Sequence, residues 1–586
     1  MTQDLVLTNN GALHMFAAPV TNVLTDTGAA LTVGGSLHVF EGSWIVPVAH
    51  PTNGAAVKIG VEADLLIAAT GGIDADMRGY TRGFGPGVPY DSGGAGHGGH
   101  GGMGFGGKIF GYAYGDAEWP MLAGSAGRSA TLAGRGGGAI RLHVGGRAVI
   151  DGTLTAKGGH GTTTHGPAGS GGSILVQCTT FEGSDNGRLA VDGGQGNYYG
   201  GCGGGGRIAI HYDAAAQAAL QNPVPGVRFT GYAYPLTTYG TSFTIDAQMG
   251  TLWLPDLLFL TETLDKQRFW HVRLVVPDQA TWTPADLTLD NCVLTWPEGF
   301  TLAVANDLIL TNGAVMTLVA AATNAPAERY GTQVTVGRDL KVYADSWICP
   351  QAHPTNAAIA GLMVGRHATL ASGGGIDADG RGYHASNVGE IGPGEGANGY
   401  QGGGYGGKGG GTAGGPAYGS AVLPLLPGSA AGWNGYGGAN GYTVGGNGGG
   451  AVHLRVGGEL RVDGLITADG WHGSYYGGGG GSGGAIFLAA RRLTGTGMLR
   501  ANGGLSNLDV ASGGGGRIAV WHHMPLGEVE ARLASGMTSG LRYAATHPDF
   551  PADRLEVAWY GTSKNGLPGA GTKGFYTAVS TLMLIR

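Results

Sequence analysis

A short alternating strand pattern that returns at a nearly fixed interval, inside a sequence written twice, leaves few folds open to this chain. The segment Asp4-Leu5-Val6-Leu7-Thr8-Asn9 returns as Asp307-Leu308-Ile309-Leu310-Thr311-Asn312, and His50-Pro51-Thr52-Asn53 returns as His353-Pro354-Thr355-Asn356, at an offset of 303 (residue 307 against 4). The offset persists at Gly72-Ile73-Asp74-Ala75-Asp76 against Gly375-Ile376-Asp377-Ala378-Asp379 and reaches 312 only at Asp151-Gly152 against Asp463-Gly464, beyond the glycine-rich stretches. A tandem duplication whose framework is kept while its loops change length is the mark of a repeat architecture.

Inside each copy a smaller unit recurs: a short alternating strand, a glycine-containing corner, a second strand and a Gly-Gly exit. The first apolar strand position falls at Ile140, Ile174 and Ile208, 34 residues apart each time, and at Val452, Ile486 and Ile518, 34 and 32 apart. Period-two alternation marks strands, and no window offers a convincing amphipathic-helix period instead. Similar strands at a fixed interval, joined by corners too short for helices, suit coils that stack about 4.8 Å apart and bury one apolar row. The expected fold is therefore all-β: a right-handed parallel β-helix, a solenoid in two tandem copies. The copies are placed at residues 1–253 and 301–586, with 254–300 as a connecting segment.

Composition decides what the loops can be. Glycine supplies 122 of 586 residues without a Gly-X-Y period, which excludes collagen, while 42% apolar residues and only 12% charged ones exclude a disordered chain. The stretches Ser92 to Lys108 and Gly402 to Gly415 fall at the same place in both copies and are expected to pack as polyglycine-II-like strands on the flank of the coils, the alternative being flexible loops. Tyr400, Tyr405, Tyr418, Trp433 and Tyr436 give them something to pack against. A net charge of −7 with no Lys/Arg run offers no footprint for nucleic acid, and no apolar run approaches a membrane span. The four cysteines do not match between copies, so they read as incidental, with one bridge allowed. No signal-type leader follows Met1, neither end carries an evident cap, and Val579 to Arg586 resembles Gly250 to Leu254. The expectation is a mature or excised piece of a longer protein, or a subunit exported by another route.

The blocks Gly-Gly-Ile-Asp-Ala-Asp-x-Arg-Gly-Tyr, Gly-Ser-Gly-Gly-Ala-Ile (Gly481 to Ile486) and Gly-Gly-Gly-Gly-Arg-Ile-Ala-Ile/Val (Gly203 to Ile210, Gly513 to Val520) resemble glycine-rich parallel β-helix repeat modules of very large bacterial secreted or cell-surface proteins. The resemblance implies an extracellular or cell-surface, β-helical, multi-copy protein and brings no catalytic residues with it.

Candidate binding residues are Asp74, Asp76, Asp377 and Asp379, with His50 and His353. Residues i and i+2 of a strand share a face, which would set paired carboxylates for acid–base work or for Ca2+. The plainer reading has each Asp bonding the corner backbone, with Arg78 and Arg381 as counter-ions, and duplication favours it, because two tandem copies of one active site are unusual. His-Pro-Thr-Asn likewise reads first as a turn. Neither His97 with His100 nor His160 with His165 returns as a pair in the second copy, so no metal site, cofactor or catalytic residue is assigned. Matches to nucleotide-binding and nucleophile-elbow patterns are products of glycine content and lack the strand-to-helix context.

The leading function is structural or adhesive: a stiff rod or self-assembling fibre that is not an enzyme, with further copies or repeats as partners. The alternatives are a carbohydrate-active β-helix, either a polysaccharide lyase or hydrolase or a glycan-binding module, and, more weakly, a phage tail fibre contacting its receptor.

Overall fold

The computed structural model describes residues 3–104, 110–128, 133–235, 246–322, 330–385, 392–398, 400–432, 445–473, 478–506, 511–559 and 566–578. Trp433, Tyr436 and the segment 579–586 lie outside them. Two compact units are formed, residues 1–279 with 292–295, and 280–291 with 296–586. The segment 254–300 is built of strands like the rest, including Thr263–Asp265, Val272–Val275 and Leu287–Asp290.

In the first unit the strands are dealt in rotation to three sheets. Leu5–Leu7, Leu37–Val39, Leu65–Ile67, Arg147–Ile150 and Thr180–Glu182 form one. Ala12–Phe16, Trp44–Val48, Gly72–Asp74, Thr153–Thr155, Arg188–Ala190, Arg228–Thr230 and Phe269–Trp270 form the second. Ala29–Val33, Val57–Val61, Ala139–Val144, Ser173–Gln177, Arg207–His211, Gly250–Trp253 and Val272–Val275 belong to the third. Every pairing among these strands is parallel, and the registers stack like on like. Leu13, Ile45, Ile73, Leu154, Leu189, Phe229 and Phe269 form one continuous row. Ile140, Ile174 and Ile208, spaced 34 residues apart in sequence, are direct partners in another. These rows form the core, and each fully buried Leu, Ile or Phe contributes roughly 1.5–3 kcal/mol.

The second unit repeats the arrangement by itself. Met316, Ile348, Ile376, Ile466, Leu499 and Leu555 stack in one row. Leu302, Val334, Leu362, Leu454, Leu488, Val520 and Phe575 stack in another.

Besides a five-residue α-helix, Ala214–Ala218, two features depart from the sequence reading. An α-helix, Leu526–Ser535, starts after Pro525, ends at Gly536 with φ +62°, and buries Val529 and Leu533, four residues apart. It packs on Phe487, Trp521 and Met524. Its apolar stripe is only two residues wide, too thin to stand out against the surrounding alternation. The strand Leu541–Ala544 then pairs antiparallel with Thr572–Ala578. The parallel run of that sheet thus ends on an antiparallel strand, a closing element that the sequence reading did not anticipate.

The glycine runs are buried and bonded through the backbone. Amides of Ala168 and Gly171 donate to Gly201 and Gly204, those of Gly169 and Gly172 to Gly159 and Ala156, and that of Ser170 to Ser125. The second unit repeats this: Gly480 and Gly483 donate to Ala511 and Gly514, Gly481 and Gly484 to Trp471 and Ala468, and Ser482 to Ser429. Bond directions therefore rotate with a period of three residues, whereas a pleated strand alternates with a period of two. Glycine is required by proximity: a Cβ on Gly203 or Gly513 would lie inside the carbonyl of Gly169 or Gly481.

Candidate functional site: the duplicated Asp-x-Asp corner

The Asp-x-Asp motif sits where a sheet strand passes into the glycine runs. Gly72–Asp74 is the last strand before the excursion, and beyond it Ala75 N–H donates to Thr155 O while Gly79 N–H donates to Gly136 O. In the second unit Ala378 N–H donates to Thr467 O, and Gly382 N–H to Gly448 O.

Both carboxylates at each corner are occupied by neighbouring backbone. Asp74 Oδ1 accepts from Asp76 N–H at 2.8 Å, and Asp377 Oδ1 from Asp379 N–H at 2.8 Å. Asp76 Oδ1 then accepts from the Thr155 hydroxyl and from Lys157 N–H, both at 2.6 Å. Asp379 Oδ1 accepts from Asp469 N–H at 2.6 Å, Asp469 Oδ1 from Asn502 N–H at 2.7 Å, and Asn502 Oδ1 from Ala558 N–H at 2.6 Å. In the first unit Asp192 Oδ1 takes Tyr232 N–H at 2.9 Å. Asp76 and Asp192 in the first unit, and Asp379, Asp469 and Asn502 in succession in the second, thus cap an amide of the next coil, a ladder of polar groups alongside the apolar rows.

Electrostatically the two corners differ. Where the first unit places Lys157 beside Asp76, the second places a further carboxylate, Asp469, beside Asp379. Burial, then the charges of Asp469 and Asp377, push Asp379 up to about 7. Burial also raises Asp469, against the Arg500 guanidinium 2.5 Å away. Asp76 is raised as well, chiefly by burial, with the Thr155 and Lys157 hydrogen bonds opposing it. Of the two expected counter-ions, Arg381 lies 3.4 Å from Asp377. Arg78 forms no ion pair among the described residues, and its Nε is buried without a partner.

His50 and His353 hold turns. His50 Nδ1 accepts from Asn53 N–H at 3.1 Å, and His353 Nδ1 accepts from Thr355 and Asn356 N–H at 3.4 and 3.3 Å. The Asn53 side chain bonds Val20 through both its oxygen and its nitrogen, at 3.2 and 3.0 Å. Tyr80 hydroxyl donates to Asn53 O at 3.1 Å, and Ala49 N–H donates to Arg78 O, so the histidine turn and the Asp corner adjoin. In the second unit Ala352 N–H donates to Arg381 O in the same way.

Among the described residues no group of three or more His, Cys, Asp or Glu is placed to hold a metal ion. His97 is buried against Tyr114, with Nδ1 2.9 Å from Gly171 O, and the four cysteines form no disulfide with one another. Lys157, Asp192, Asp469 and Asn502, the partners that complete the ladder, were not picked out from the sequence. For Asp192 and Asn502 there was a signal, an acidic or amide residue just before a Gly-Gly exit, at Asp192-Gly193-Gly194 and Asn502-Gly503-Gly504. Among the described residues no helix is long and apolar enough to cross a membrane. Compared with known proteins, the chain matches no family model, no curated protein and no solved structure.

Proposed function

We propose that this chain is a right-handed parallel β-helix in two tandem copies, flanked by polyglycine-II-like strands, and that it acts as a structural or adhesive module outside the cell. Right-handedness follows the general preference of parallel crossovers. The observation that carries the reading is the three-residue rotation of buried amides at 168–172 and again at 480–484. Three residues per turn is the repeat of a polyproline-II-like strand, which has no internal hydrogen bonds and must bond its neighbours. A chain that commits its polar corner groups to capping the next coil is built for persistence. Its function on this reading is mechanical: a stiff rod or self-assembling fibre at the cell surface, whose partners are other repeats.

Electron microscopy of the purified protein tests this. Rods or filaments are expected, and compact two-lobed particles would remove the reading. The non-enzymatic assignment is tested by Asp76→Ala and Asp379→Ala. These variants should lose stability while a panel of acidic and neutral polysaccharides stays uncleaved by every form of the protein.

A second reading, a glycan-binding module, draws on one observation: Phe84, Tyr90, Tyr112, Trp119 and Tyr198 of the first unit all expose their rings in or beside the glycine runs. Glycan-array binding that falls with Tyr112→Ala and Trp119→Ala would favour it.

A further inference from the structure

The strands Leu5–Leu7, Ala12–Phe16 and Ala29–Val33 are the terminal strands of the three sheets of the first unit. Each pairs inward, with Leu37–Val39, Trp44–Val48 and Val57–Val61. The residues heading their apolar rows, Leu5, Leu13 and Leu31, are only half-buried. One coil deeper, their partners Leu37, Ile45 and Ile59 are 0%, 0% and 1% exposed. Phe16 at 69%, Leu24 at 54% and Val6 at 49% add apolar surface to this end.

The duplication supplies an internal comparison. The counterparts of Leu5, Leu13 and Leu31 are Leu308, Met316 and Val334, and these are 0%, 0% and 2% exposed. In the second unit Leu287–Asp290 lies in parallel register on Leu308–Thr311, setting Leu287 against Leu308 and Leu289 against Leu310. Thr301–Val304 lies on Thr332–Val336, setting Leu302 against Val334 and Val304 against Val336. Asp286 Oδ1 accepts from Asp307 N–H at 3.1 Å at the same junction. The parts of that surface headed by Leu308 and Val334 are therefore covered by strands of known sequence.

We propose that the face headed by Leu5, Leu13 and Leu31 is a docking surface for one further parallel β-coil with the chemistry of residues 280–304. Such a coil brings short extended segments whose alternate apolar residues continue the three rows and whose backbone pairs with the terminal strands. A sheet edge with apolar residues at its head templates this kind of addition. The proposal deepens the β-helical reading and rests on it, naming the partner by which such a module would lengthen.

The test is a graft in the full chain. Residues 280–306, placed directly ahead of Asp4 in exchange for Met1–Gln3, set the donor coil where its parent stands ahead of Asp307. The expected result is a graft that resists limited proteolysis, lower binding of an apolar dye, and exchange of the Leu5–Leu7 and Ala29–Val33 amides slowed on the order of tenfold or more. Leu287→Asp with Leu302→Asp inside the graft should reverse all three. A digested graft with unchanged exchange overturns the proposal, as does equal protection by the Asp-substituted graft. Amides of Leu308–Thr311 and Thr332–Val336 in the same experiment separate the two levels. If they are slow while the graft fails, only the docking surface is lost; if they exchange fast, the β-helical reading falls with it.

Discussion

The Asp-x-Asp corners of the two units share a backbone and differ in charge. Asp76 faces Lys157, and Asp379 at the equivalent place faces Asp469, with Arg500 drawn in at 2.5 Å from Asp469. The cap survives the exchange of Lys for Asp because the bond it makes is to a backbone amide, which every residue but proline can donate. A carboxylate stack inside a partly buried corner is costly unless a proton or a cation offsets it; the second unit supplies the cation in Arg500 and raises the pKa of Asp379. The comparison teaches that this corner keeps its hydrogen-bond geometry in both units and is permissive about charge.

The strongest way to break the equivalence of the two units lies in their glycine runs. Gly203→Ala and Gly513→Ala should each lower the chemical-denaturation stability of the unit concerned by more than about 4 kcal/mol, since backbone carbonyls occupy the space a Cβ needs. Gly527→Ala, in a helix with nothing within 4 Å, should instead raise stability by about 0.5–1 kcal/mol. Loss in one unit but not the other would show that the two glycine runs do different work.

A smaller effect sharpens the charge difference. Asp379 is raised to about 7 from its ordinary value of 3.8, so between those limits the folded state binds more protons than the unfolded one. Its contribution to stability is therefore greatest below about pH 4 and falls as pH rises through about 7. Asp379→Asn, which keeps the acceptor for Asp469 N–H, should raise the melting temperature at pH 8 and leave it unchanged at pH 4. Asp76→Asn should move it less, because Lys157 already opposes the charge. Equal gains from the two variants at pH 8 would contradict the assignment.

The smallest effect is expected at the histidine turns. His50→Ala and His353→Ala each remove a ring nitrogen that accepts from the turn backbone, at a cost of about 1 kcal/mol. His50→Asn, which restores an acceptor of similar reach, should recover most of it. A far larger loss, or a change in glycan binding, would give these residues a role beyond the turn.

Much of the fold was legible because its information is periodic. The interval of 34 between Ile140, Ile174 and Ile208 placed these residues in one row before any coordinates, and they are paired directly. The polar ladder was not legible. Asp76 finds its partner Lys157 across 81 residues and Asp379 finds Asp469 across 90, separations set by how far each glycine excursion travels before the strand returns. The helix Leu526–Ser535 was missed for a different reason, because two buried residues in ten leave almost no periodic trace. The candidate residues Asp74, Asp76, Asp377, Asp379, His50 and His353 lie at corners and turns, and what their side chains bond was open until the neighbouring coil was known.

By itself the sequence determined the strand class, the duplication and the identity of the apolar rows, because alternation and spacing are properties of the chain read in order. Only the tertiary structure decided which amide each carboxylate caps, which carbonyls crowd each glycine, and which row heads are covered. Those depend on coils that meet after excursions of variable length, and contact across such a gap is a property of stacking that no local pattern encodes.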